Sequence, residues 1–173
     1  MSILTSGVIN STNLIRQSYA NIYNLINNRS NVPDPNSSAG TRKFIYTRMP
    51  KIDSRNFAGF PFIIVERTKP SKKIGSADLT KSFINFDNAI SVYSKDKETD
   101  STGYPSGEQT NEEITENIRK TLDNATNQRT LLNQAMAHLS YNIDTSEDED
   151  FDGILTYISK FDLRFENNLI TTG

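Results

Sequence analysis

The sequence predicts an α+β fold: a mixed, mostly antiparallel sheet of about four to five strands, with a long β-hairpin and helices packed on one face. Three observations carry this. The stretch Gly153–Asn167 (GILTYISKFDLRFEN) alternates, with Leu155, Tyr157, Phe161, Leu163 and Phe165 on one side and Thr156, Lys160, Asp162, Arg164 and Glu166 on the other. That is the pattern of a strand buried on one face and wet on the other. Two further β-rich runs, Phe60–Lys69 and Thr80–Lys97, are separated by a short basic segment. Helical spacing occurs at the start of the chain and again between the hairpin and the last strand.

Taken in order, a helix is expected over Ser11–Asn28, where Ile15, Tyr19, Ile22 and Ile26 share one face. Ser11 or Thr12 supplies a hydroxyl for the first free N–H groups. The segment 31–41 (NVPDPNSSAGT) is a loop, with two prolines and a glycine among small polar residues. Arg42–Asp53 reads as a strand whose far end Pro50 places at an edge or outside the ladder. Phe60–Lys69 opens on an aromatic-proline pair and continues as Phe62, Ile63, Ile64 and Val65, an apolar run suited to burial on both faces. Pro70–Asp78 is a basic turn or extended hairpin tip. Thr80–Lys97 is long for a strand and carries Asn88 among Ile84, Phe86, Ile90 and Val92, so it is expected to bend or to project beyond its core.

A polar loop, Asp96–Gln109, leads to a helical pair expected at Asn111–Asn124 and Arg129–Tyr141. Thr110 and Glu113 have the spacing of a capping box. Ile114, Ile118 and Leu122 give the first helix its apolar face, and Leu132, Ala135, Met136 and Leu139 the second. One α+β domain over residues 1–173 accommodates all of this: helix 11–28, loop 31–41, sheet, hairpin and helical pair 42–152, closing strand 153–167.

Composition excludes several chemistries. There is no cysteine, so thiolate metal sites, disulfides and cysteine nucleophiles are ruled out. A single histidine, His138, rules out a multi-histidine metal centre. No glycine-rich phosphate loop and no Gly-x-Ser-x-Gly elbow is present. A formal charge of −2 argues against a dedicated nucleic-acid binder. No apolar run is long enough to span a membrane, and the N-terminus lacks the basic and apolar regions of a signal peptide. The expectation is a protein made in a cytoplasm, without cofactor, metal or catalytic residue.

Two charged clusters remain as candidate contact sites. Arg67, Lys69, Lys72 and Lys73 would lie at the hairpin tip, where they could dock on an acidic neighbour or simply be solvated. Glu147, Asp148, Glu149, Asp150 and Asp152 form an acidic run expected to be a loop. It lacks the spacing and the sixth-position glycine of a calcium-binding EF-hand loop. It could instead face a neighbour, or line a passage that repels DNA.

With these elements in place the chain resembles the tail terminator (tail completion) proteins of long-tailed bacteriophages. The likeness is carried by FPFIIVERTK as a first hairpin strand, INFDNAISVYSKDK as a long second one, and GILTYISKFDLRFEN as an aromatic-rich closing strand. It covers roughly Phe44 to Asn167 and departs in the long loops at Asn31–Thr41 and Asp96–Gln109. The resemblance implies a virion structural subunit, usually forming a hexameric ring, that caps the head-proximal end of the tail tube. Its partners would be the tube protein and the head-tail connector or neck proteins, with DNA passing through the lumen unbound. Related neck subunits, the head-completion and sheath-end proteins, share parts of this layout. A small ligand-binding α+β module is the reading from a different class, and it would require a concave apolar pocket. A hydrolase or transferase would require paired catalytic groups, which the chain does not display.

Overall fold

The computed structural model describes residues 11–37, 42–52, 55, 57–67, 70–74, 81–96, 106–133, 139–149 and 154–170. The elements are α1 (Ser11–Ile26), β1 (Ile45–Tyr46), β2 (Phe62–Glu66), β3 (Pro70–Ile74), β4 (Lys81–Lys95), α2 (Gly107–Asp123), α3 (Ala125–Asn133), β5 (Leu139–Glu149) and β6 (Leu155–Ile170). The fold is α+β. The strands form one mixed, mostly antiparallel sheet in the order β1-β2-β4-β6-β5, with β3 paired to β4 beside β2. Only β1 runs parallel to its neighbour.

The centre of the sheet is the antiparallel ladder of β4 on β6, unbroken from Lys81↔Ile170 to Lys95↔Thr156. Fifteen residues of strand extend about 50 Å. A compact chain of this length has a diameter of roughly 40 Å. The ladder is therefore longer than the diameter of an evenly compact chain of this length. At its far end β3 lies along β4 from Pro70↔Phe86 to Ile74↔Ser82, making a three-stranded extension with β6.

The hairpin is thus real and longer than its first strand suggests. From Glu66 to Pro70 the chain advances four residues while its partner runs three, from Ala89 to Phe86. The registers of β2 and β3 along β4 therefore differ by one residue. Residues 70–74, expected in a turn or extended tip, are strand.

Side-chain parity divides the sheet into two faces. Ile63 and Val65, Ile90 and Val92, and Phe161, Leu163 and Phe165 point to the side covered by Ile22 and Ile26 of α1, Ile114, Ile118 and Leu122 of α2, and Leu131 of α3. This is the main core, and the three helices share it. On the reverse face a smaller aromatic cluster forms around Tyr46, Phe62 and Ile64, flanked by Phe57, Phe60 and Tyr93. Phe62 stacks on Tyr93 at 4.8 Å, and Phe57 meets Phe62 edge-on at 5.3 Å. Beyond these rings the reverse face is polar. Lys160–Asp162 and Arg164–Asp87 pair there at 2.9 and 3.1 Å. Such exposed pairs keep the face soluble and add little stability.

Three expected boundaries need correction. The strand expected at Arg42–Asp53 contracts to the two residues of β1, because only Ile45 and Tyr46 find partners on β2. The helix expected from Asn111 begins at Gly107, and its cap is Ser106, whose hydroxyl accepts from Gln109 N–H at 3.2 Å. Thr110 lies inside the helix and is not its cap. The helix expected at Arg129–Tyr141 is the short α3, ending at Asn133, and Leu139–Tyr141 belong to β5. Asn124 separates the two helices and caps the second, accepting from Thr126 and Asn127 N–H at 2.9 and 3.2 Å. His138 lies outside the described residues.

The start of α2 is docked tightly on the end of β4. Gly107 N–H donates to the Asp96 carboxylate at 2.7 Å, and Ser94 Oγ donates to Gly107 C=O at 2.6 Å. A Cβ at Gly107 would lie 2.7 Å from backbone atoms of Lys95 and Asp96, so only glycine permits this approach. The Asp96 charge also suits the positive end of the helix dipole.

One turn later Asn111, 4% exposed, fastens α2 to both central strands. Its amide donates to Val92 C=O at 3.3 Å and Tyr157 C=O at 2.9 Å. Its carbonyl accepts from the hydroxyl of Ser159. Replacing it leaves buried acceptors on two strands and a buried donor without partners. Asn111→Ala should lower unfolding free energy by about 2 to 3 kcal/mol, read from the urea midpoint at constant slope.

Candidate interaction surface

The described surface offers contact features at the two ends of the sheet. The first is built around β1. Phe44 C=O accepts from Ile63 N–H at 2.9 Å and so fixes the approach to β1 against β2. Arg42 then clamps the surrounding loops. Its guanidinium pairs with Asp34 at 3.1 Å and donates to Gly59 C=O at 2.8 Å and to Pro61 C=O. The Asp34 side chain is fully buried. Arg29 adds bonds to Ser37 C=O at 3.2 Å and Arg42 C=O at 2.8 Å. Gly59, with φ of 87°, makes the left-handed turn that returns the chain to β2.

On this frame the chain from Lys43 to Lys51 lines a groove of about 610 Å³, formed by Lys43, Tyr46, Thr47, Arg48, Met49 and Lys51 with Pro50. Lys43 lies over the Tyr46 ring at 4.8 Å. Arg48, Lys51 and Arg55 are exposed and make no ion pair among the described residues. Met49 and Ile52, exposed at 52% and 53%, are the exposed large apolar side chains among the described residues. Both fall on this basic edge. None of these residues stands out in the sequence read as a strand with a proline stop. The available signal was the run RKFIYTRMPKIDSR, with five cations against one acid.

The second feature is β5. The acidic run expected as a loop is mostly strand: Glu147, Asp148 and Glu149 pair with Tyr157, Thr156 and Leu155 of β6. Asp150 and Asp152 lie outside the described residues. β5 ends the sheet, so its second backbone edge is unpaired among the described strands. Asp144, Glu147 and Asp148 are exposed along it. Charges on a terminal strand oppose random edge-to-edge pairing.

Behind β5 lies a polar cleft of about 370 Å³ between its backbone and the first turns of α2. Glu108 and Glu112 from the helix face Glu147 across it, with Asn111, Tyr157 and Ser159 at its base. Among the described residues no group of three or more histidine, aspartate or glutamate side chains is placed to hold a metal ion. The cleft is an acidic recess, shaped for a cationic side chain more than for an apolar ligand.

Of the four cations expected at a hairpin tip, Arg67, Lys72 and Lys73 fall among the described residues. Arg67 sits directly after β2, and its guanidinium lies 4.9 Å from the centre of the Tyr19 ring on α1. Lys72 and Lys73 are in β3, opposite Ile84 and Phe83 of β4. Lys69 is outside the described residues. Ile84 pairs with Asn167 of β6 and Glu147 with Tyr157, so the lysines and the acidic strand sit at opposite ends of β6, roughly 33 Å apart.

β5 is held to the body by Tyr141. Its ring packs 5.9 Å from Phe161, and its hydroxyl donates to Asp123 at the end of α2, at 2.7 Å. Burial, then the bond to Asp123, then the charge of Asp123 push the Tyr141 hydroxyl up to about 12 from 10.

Arg42→Ala strands a buried carboxylate and should destabilise the protein by about 3 kcal/mol or more, whereas Arg42→Met with Asp34→Asn should lose distinctly less in the same urea titration. Tyr141 should titrate near pH 12 by ultraviolet absorbance. Its folded pKa lies above the unfolded one, so its contribution is complete below pH 10 and is lost as pH rises toward 12. In Asp123→Asn the midpoint should fall but stay above 10, because burial is the leading cause.

No protein-family model matches this chain, and no curated protein matches it significantly in sequence.

Proposed function

We propose that this protein is a ring-forming structural subunit of the bacteriophage neck, a tail terminator that caps the head-proximal end of the tail tube. The reading begins from the likeness of its hairpin and closing strand to that family. The observation that carries it furthest is the β4–β6 ladder, fifteen residue pairs long, which continues as a three-stranded extension with β3. A monomer gains little from strands beyond its own core. A subunit that lies across a neighbour gains interface area from them.

On this reading no residue is catalytic and the protein acts by position. It assembles as a homo-oligomer, most simply a hexamer. One surface meets the last ring of tube protein and stops its growth, and the other receives the connector. DNA passes through the lumen without specific binding. The protein would reside in the virion at the head-tail joint. Among the described residues no helix is long and apolar enough to cross a membrane.

Purified protein should give closed rings with a central hole in negative stain, at a mass several times 19.5 kDa by light scattering. Added to growing tail tubes, it should label one end and fix tube length. Decoration of the connector and not the tube would assign it to a head-completion role. A monomer that ignores both would overturn the neck reading.

A further inference from the structure

We infer that the two ends of the sheet are the two halves of one self-complementary interface: the basic β1 edge of one copy docks on the acidic β5 edge of the next. This assigns surfaces within the ring reading above and rests on it.

Charge is the first argument. Lys43, Arg48, Lys51 and Arg55 are exposed on the β1 side, and Asp144, Glu147 and Asp148 on the β5 side. The recess behind β5 adds Glu108 and Glu112 next to Glu147. It has the polarity and size to take an arginine or lysine head. Arg48 and Lys51 rim the opposite groove beside Met49.

Apolar exposure is the second argument. Met49 and Ile52, the exposed large apolar residues of the described surface, sit among these cations. An apolar pair ringed by charge is the usual anatomy of a protein contact, and a phosphate-binding surface has no need of it. This favours a protein occupant over nucleic acid.

Geometry is the third. β1 and β5 are the terminal strands, four inter-strand steps or about 19 Å apart, and their free edges point away from each other. One copy cannot satisfy its own pair. Because the two surfaces differ, the contact is head-to-tail, and it closes into a ring when its rotation closes. Two β5 edges would repel, so the charges also exclude the symmetric alternative.

Sedimentation of the full chain at low and high salt tests this. Arg48→Glu/Lys51→Glu and Glu147→Lys/Asp148→Lys should each weaken self-association about tenfold or more, with thermal melting unchanged. Combining all four substitutions reverses both surfaces and should restore assembly. Added salt should weaken wild type and the fourfold variant alike. The assignment is overturned if either two-site variant assembles like wild type, or if the fourfold variant assembles no better than its parents. It is also overturned if Arg48→Glu/Lys51→Glu loses only binding to a short DNA duplex. Rings that form in every variant would sink this interface and leave the neck reading standing. A wild type that neither self-associates nor caps tubes would sink both.

Discussion

Everything in this molecule is registered on the β4–β6 ladder. Fifteen consecutive residues of β4 find partners on β6 without a slip. Because side chains alternate, a shift of one residue would exchange the two faces of one strand relative to the other. Either Ile90 and Val92 or Phe161, Leu163 and Phe165 would turn from the helices to water. The burial of these residues therefore fixes the pairing, and the pairing fixes where β2, β3 and β5 attach. It also places the acceptors Val92 C=O and Tyr157 C=O where one side chain of α2, Asn111, reaches both.

The loop frame at the β1 end depends on a different kind of force. No regular structure holds residues 34–37, 42–44 and 59–61 together. They converge on the Arg42 guanidinium, whose planar fork serves a carboxylate and two carbonyls at once. Lysine, with a point charge and no fork, could not hold the same three groups. The carboxylate of Asp34 is desolvated. A buried pair of this kind costs desolvation energy and gives geometry in return. Here the geometry is a fixed platform from which Lys43, Arg48 and Lys51 face outward.

Much of the fold was legible because its strands have contrasting faces. β6 alternates between aromatics and charges, so its period is unmistakable. α1 and α2 show their apolar residues at helical spacing. β5 was not legible, and the reason is physical. Leu139, Tyr141 and Ile143 alternate toward the core, but Leu139 also continues the helical spacing of Leu132, Ala135 and Met136. The rest of the strand is acidic and polar, with low intrinsic strand preference. Its conformation is imposed by β6, a tertiary effect that local sequence does not carry. The cap of α2 escaped for a similar reason: Ser106 competes with Thr110, and Gly107 settles the matter only through its contact with Asp96. The candidate surface was half visible. The acidic run was noticed as charge without its strand, while the basic edge was hidden inside a segment read as an ordinary edge strand.

The acidic strand also bears on how an exposed sheet avoids indiscriminate pairing. A terminal strand of eleven residues, with its outer edge unpaired among the described strands, is a template for any other strand. Carboxylates along it penalise approach by another β5, or by any neutral or acidic edge, and leave one class of partner acceptable. β1 blunts the other end of the sheet differently, by being two residues long and by having Pro50 and the exposed cations Lys43, Arg48 and Lys51 close by in sequence. Each device protects its own edge when alone. Brought together they cancel, because the acid that repels a second acidic strand attracts the cations beside β1. If the edges meet as inferred, the features that keep the monomer from aggregating are the same ones that select a head-to-tail neighbour, and no separate recognition element is needed.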